Sequence, residues 1–279
     1  MFTMTNNLKE NSMHAEKTIR QISLVFVLLL FLSGCVHIEK NNVQASSNAV
    51  QQKIEKEEIY DYLIFTDSET EDSGFIVKAN PQKIQRISKL FIPKTYRTKP
   101  ITAIAGNGFM NCTSLTEISI PDSIREIPDS AFKNCSMVRK LTIAPTIAEI
   151  GVAAFMNCGN LQEIHITAGI QKIRNSAFAN CVSLKEITFE KGEELTIYER
   201  AFTNCGFSKL IFPDRIVSIK NAAFYNCKEL TQIALTSPVP PELGQQVFMD
   251  TSLESVLIPS NAYETAENWE SYARLMQTP

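Results

Sequence analysis

The sequence predicts a β-rich solenoid, a stack of short repeats with a parallel sheet along one face. Three observations carry that expectation. Phenylalanine recurs at positions 109, 132, 155, 178, 202, 224 and 248, at intervals of 22 to 24 residues. Three residues after each of the first six stands a cysteine, at Cys112, Cys135, Cys158, Cys181, Cys205 and Cys227, always preceded by asparagine. Beyond each cysteine lie two alternating apolar positions, such as Ile118 and Ile120 or Ile164 and Ile166, the period of a half-buried strand. A unit of about 23 residues with one short strand cannot close its own core, whereas stacked units share a continuous one.

The elements follow in chain order. Lys9, Lys17 and Arg20 form a basic start, and residues 24–32 are apolar throughout. Nine residues at a helical rise of about 1.5 Å fall short of a hydrocarbon core of about 30 Å, so residues 1–34 are expected to be an export signal. Met13 offers an alternative start that gives the signal a more usual length. The following Leu32-Ser33-Gly34-Cys35 resembles the bacterial lipobox. That resemblance implies cleavage before Cys35, lipidation of its thiol and attachment to a membrane, since stable anchoring takes more than one acyl chain. Residues 35–59 are polar and aperiodic, and are expected to act as a flexible tether.

Residues 60–100 are expected to form an N-terminal cap and a lead-in strand. Residues 60–65 and 75–78 suit a β-hairpin, and Leu90 and Ile92 suit one strand ahead of the first full unit. Residues 101–259 hold seven units. Ile104, Ile127, Ile150, Ile173, Ile197, Ile219 and Leu243 each precede their phenylalanine by five residues. A small insertion occupies residues 190–195. Residues 260–279 are expected to close the array with a short amphipathic helix that turns Tyr263, Trp269, Tyr272 and Leu275 inward.

The pattern Ile-x-x-Ile-x-x-x-Ala-Phe-x-x-Cys-x-x-Leu-x-x-Ile-x-Ile-Pro resembles the BspA-like leucine-rich repeat of bacterial surface proteins, over residues 85–279. Residues 124–143, with Ala131, Phe132 and Cys135, carry most of it. The resemblance implies a leucine-rich-repeat fold with the parallel sheet on the concave face. It also implies a protein-binding role, with adhesion to host matrix or neighbouring-cell components as the leading expectation. An envelope structural or assembly lipoprotein with a bacterial partner is the alternative. Val36, next to the lipidation site, lacks the Asp that resembles an inner-membrane retention signal, which favours the outer membrane or cell surface in a Gram-negative cell.

Composition narrows the classes further. With 44 % hydrophobic and 20 % charged residues, the chain is neither largely disordered nor a polytopic membrane protein. A net charge of −3 provides no field for nucleic acid. No nucleophile elbow, phosphate-binding glycine loop or zinc motif occurs, so an enzyme, a cofactor and a metal are not expected. A monomer is expected. The six repeat cysteines share one column, and the rung spacing of about 4.8 Å exceeds the Cβ separation of about 3.8 Å that a disulfide needs, so they read as buried thiols. The asparagines read as partners of turn backbone. The acidic turn with Asp67, Glu69, Glu71 and Asp72 reads as a solvated loop, with calcium the sharper option.

The outward face of the sheet is the candidate site. Its first column runs Lys89, Glu117, Lys140, Glu163, Glu186, Lys209, Gln232 and Ser255. Its second runs Phe91, Ser119, Thr142, His165, Thr188, Ile211, Ala234 and Leu257. The binding residues expected from these are Lys140, Glu163, His165, Glu186, Thr188, Lys209, Ile211, Ala234 and Leu257. The Ile211–Ala234–Leu257 stripe suits a partner site, a strand's ordinary β-branched surface, or cover by the C-terminal cap.

Overall fold

The computed structural model of the protein describes residues 59–68 and 74–278. The signal, Cys35, nearly all of the tether and the carboxylates Glu69, Glu71 and Asp72 lie outside the described residues.

The chain opens on an antiparallel hairpin of β1 (Leu63–Asp67) and β2 (Phe75–Ala79). Then come β3 (Lys89–Phe91), β4 (Thr95–Tyr96) and β5 (Lys99–Ile104). From here each unit contributes two strands. They are β6 (Glu117–Ile120) and β7 (Glu126–Ile127), then β8 (Lys140–Ile143) and β9 (Glu149–Ile150), then β10 (Glu163–Ile166) and β11 (Lys172–Ile173). They continue as β12 (Glu186–Phe189) and β13 (Leu195–Ile197), β14 (Lys209–Phe212) and β15 (Ile216–Ile219), β16 (Gln232–Leu235) and β17 (Glu242–Leu243). The array closes with β18 (Ser255–Leu257) and β19 (Met276–Gln277).

The even-numbered strands β6 to β18 are those expected from the alternating apolar pairs, and with β3 they form the front wall. The odd-numbered strands from β7 to β17 form a second, continuous parallel sheet of six strands, in place of the single strand per unit expected. The isoleucine column supplies its inward residues, each 0–3 % exposed from Ile127 to Leu243. Two-residue strands leave too little alternation to show in a sequence. The front wall falls into three pieces, β3-β6-β8, β10-β12 and β14-β16-β18-β19.

The two walls meet over a turn that buries the phenylalanine column. From Phe109 to Phe224 the rings stack at 5.2–5.3 Å between centroids, with planes within 13°. Such burial contributes about 1.5–3 kcal/mol per ring. Cysteines lie beneath the stack, and from Cys135 on each Sγ donates to the carbonyl of the preceding unit's phenylalanine at 3.2–3.4 Å. All six repeat cysteines are free and buried.

The asparagine column differs from expectation. Each of Asn111, Asn134, Asn157, Asn180, Asn204 and Asn226 sits at φ 58–64°, a left-handed conformation that asparagine tolerates better than other non-glycine residues. Their side chains bond one another rather than the turn. Nδ2 of each donates to Oδ1 of the asparagine one rung earlier, at 2.7–3.2 Å, from Asn134 to Asn226. At a rung spacing near 4.8 Å, stacked amides reach each other more easily than they reach back to their own turn.

The caps also depart from the simplest reading. The N-terminal hairpin pairs through β2 in parallel with β5, in a four-stranded sheet of order β1-β2-β5-β4 that is separate from both walls, and it does not pair with β3. At the other end the expected single helix is two 3-10 turns, Asn261–Thr265 and Glu270–Leu275, followed by β19. Its apolar residues recur every three positions. The bonds Ala266 to Tyr263, Trp269 to Ala266 and Tyr272 to Trp269 close that period, and three residues per turn is the 3-10 repeat. Trp269 and Tyr263 are fully buried, Trp269 Nε1 donates to the Pro241 carbonyl at 2.9 Å, and β19 pairs with the edge of β18.

Candidate binding face

The front wall presents the expected columns in register. Lys89, Glu117 and Lys140 stand opposite one another, as do Glu163 and Glu186, and Lys209, Gln232 and Ser255. In the neighbouring column His165 faces Thr188, and Ile211 is followed by Ala234 and Leu257. Lys140, Glu163, His165, Glu186, Thr188 and Lys209 are exposed, while Ala234 and Leu257 are half-buried. Ile211 is 63 % exposed, and the C-terminal cap leaves it uncovered.

The polar order changes along the face. Glu117 accepts from both Lys89 and Lys140 at 3.4 Å, so this end is internally neutralised. Gln232 Nε2 donates to Ser255 Oγ at 3.0 Å at the far end. Between them, Glu163 and Glu186 make no ion pair among the described residues.

His165 is not simply solvated. Its Nδ1 lies 2.7 Å from Thr188 Oγ1 and its Nε2 2.8 Å from Glu190 Oε1, and the Ala168 amide donates to the other Glu190 oxygen at 2.8 Å. These bonds, His165 first, hold the Glu190 carboxyl below its ordinary range. Glu190 opens the inserted segment, and its carbonyl accepts from Arg215 Nη1 at 2.9 Å. The same guanidinium donates to the carbonyls of Thr167, at 3.3 Å, and Ile170. Arg215 is only 8 % exposed. Burial pulls its pKa down, and Glu190 and Glu193 pull it back. Neither Glu190 nor Arg215 was among the residues expected. Glu190 continues the outward alternation of Glu186 and Thr188 past the strand end, which is a signal the sequence does contain. Arg215 reaches across two rungs, and no local pattern announces that.

A hydroxyl, an imidazole and a carboxylate in a row raise the question of catalysis. Here the carboxylate holds Nε2 and the hydroxyl Nδ1, on an open sheet face whose neighbouring amides are committed to the ladder. Nucleophilic catalysis needs in addition free donors aimed at a developing oxyanion. A shallow groove of about 310 Å³ lies on the second wall, lined by Gly106, Glu126, Ile127, Pro128, Asp129, Glu149 and Gly151. Glu149 there is already paired with Lys172 and Arg174. Among the described residues no group of three or more His, Cys, Asp or Glu is placed to hold a metal, and no helix is long and apolar enough to cross a membrane.

Known proteins resemble this chain in sequence pattern and in fold. A family profile described as the BspA type leucine-rich repeat region matches six copies, over residues 83–194 and 148–272. No protein of curated function matches the sequence. Among solved structures, the pneumococcal vaccine antigen PcpA is 18 % identical, with a TM-score of 0.52 over 72 % of this chain and 69 % of that one. The T. pallidum leucine-rich repeat protein is 21 % identical, with a TM-score of 0.51 over 75 % of this chain and 92 % of that one. These two likenesses concern the fold. The repeat column, the stacked phenylalanines and the profile match over most of the chain agree: the protein belongs to the BspA-type leucine-rich repeat family.

Proposed function

We propose that this protein is a lipid-anchored surface protein that binds another protein through its front wall, and that the partner is a host-matrix or neighbouring-cell component. The observation that carries the reading is the front wall itself. It is an array of outward side chains, in register within each of its three ladders, with an exposed apolar residue, Ile211, that no part of the described chain covers. A long face without a converging polar pocket suits an extended protein surface better than a small molecule. The resemblance of Leu32-Ser33-Gly34-Cys35 to a lipobox supports the anchor.

Cell fractionation tests the anchor and the location. The native protein is expected in the membrane fraction, cleavable by protease added to intact cells. Cys35→Ser is expected to shift it to the soluble fraction. Protection of the native protein from external protease, with binding only to the cell's own envelope extract, would favour the envelope structural role instead.

A further inference from the structure

We infer that the centre of the front wall docks a basic, extended stretch of the partner, with a cationic side chain over Glu163 and Glu186 and an apolar one beside Ile211. The inference rests on the front wall being the binding face, and adds the chemistry of the partner. Glu163 and Glu186 stand directly opposite each other in parallel register, both exposed. Like charges so placed destabilise a sheet. Nothing in the packing asks for carboxylates there, since both side chains leave the sheet.

Nor do the described residues form an ion pair with either of them. The one other carboxylate in that column, Glu117, lies between two lysines at 3.4 Å. Lys140 and Lys209 flank the Glu163–Glu186 pair, yet the ladder is interrupted on both sides of β10-β12, and neither lysine pairs with it. His165, the nearest imidazole, is committed to Thr188 and Glu190. A partner's ammonium or guanidinium supplies the missing counter-charge, and an acidic segment or a nucleic acid backbone is repelled. Glu163, Glu186 and Ile211 lie on three successive rungs, about 10 Å from first to last at about 4.8 Å per rung, which three or four extended residues span.

The test is titration of the full chain with dye-labelled hexalysine, with hexaglutamate as control. Hexalysine is expected to bind, about tenfold more weakly at high than at low salt, and hexaglutamate not to bind. Glu163→Gln with Glu186→Gln is expected to weaken hexalysine binding at least tenfold while melting at the same or a higher temperature. Glu117→Gln, whose charge is already matched, is expected to change binding less than twofold. Absence of hexalysine binding, or equal binding by the wild type and the double variant, overturns the inference. If hexalysine fails but Ile211→Asp still abolishes binding to matrix protein, the partner's chemistry is wrong and the face stands. If Ile211→Asp leaves matrix binding intact, the face reading itself falls.

Discussion

Arg215 shows how one side chain accommodates an irregularity in a repeat. The inserted residues 190–195 break the strict spacing, and the Arg215 guanidinium donates to the carbonyls of Thr167, Ile170 and Glu190 around them. Arg215→Ala is expected to lower stability by about 3 kcal/mol in urea unfolding, because buried acceptors lose charged donors. Arg215→Lys should restore less than half of that, since one ammonium nitrogen cannot reach the separated acceptors that Nη1 and Nη2 of the guanidinium reach. Glu190 carries a pH signature. Its carboxyl titrates below its ordinary value of 4.5 in the folded state. Its contribution is therefore present above the unfolded pKa and lost as pH falls through the folded one. The stability difference between wild type and Glu190→Gln should shrink as the pH falls below about 4. The asparagine ladder gives a third test. Asn157→Gly removes two amide bonds and should cost about 1–2 kcal/mol. Asn157→Ala adds the left-handed penalty of about 1–2 kcal/mol, so alanine should be the worse substitution, contrary to the usual order.

At the scale of elements, the phenylalanine stack and the two caps set the cooperativity of the array. Phe155→Ala leaves a void between two stacked rings and should cost about 3–5 kcal/mol by thermal or urea unfolding. Trp269→Ala removes the ring packed 6.5 Å from Phe248 and the bond to Pro241. Hydrogen exchange should then rise first in β18 and β19, with the central units still protected, because each unit contacts only its neighbours. The repeat cysteines should resist alkylation in the native protein at pH 8 and react on unfolding. They are buried, and burial raises Cys158 and Cys227 to about 12. The front strands were legible because three or four residues of alternation with a fixed period are visible in the sequence. The second wall was not, since pairs such as Glu126 and Ile127 show an apolar column but no alternation. The 3-10 cap was half legible: its inward residues were correct, but a three-residue period over so short a segment reads equally as an α-helix.

For the whole molecule, stacking turns a local sequence pattern into one long face, and that face is where the candidate site was legible. Register alone placed His165 beside Thr188 and Glu163 beside Glu186. It did not reveal that the wall divides into three pieces or that Glu190 and Arg215 organise its centre, because those features depend on contacts between rungs. The apolar stripe was also narrower than the sequence implied. Ala234 and Leu257 are half-buried, and of the three only Ile211 is exposed. The most direct measurement is binding of the full chain and its Ile211→Asp variant, matched for melting temperature, to immobilised extracellular-matrix proteins. Binding by the native chain is expected, with a loss of at least tenfold in the variant. Equal binding by both would contradict a binding site on this face and move it to the second wall or the caps.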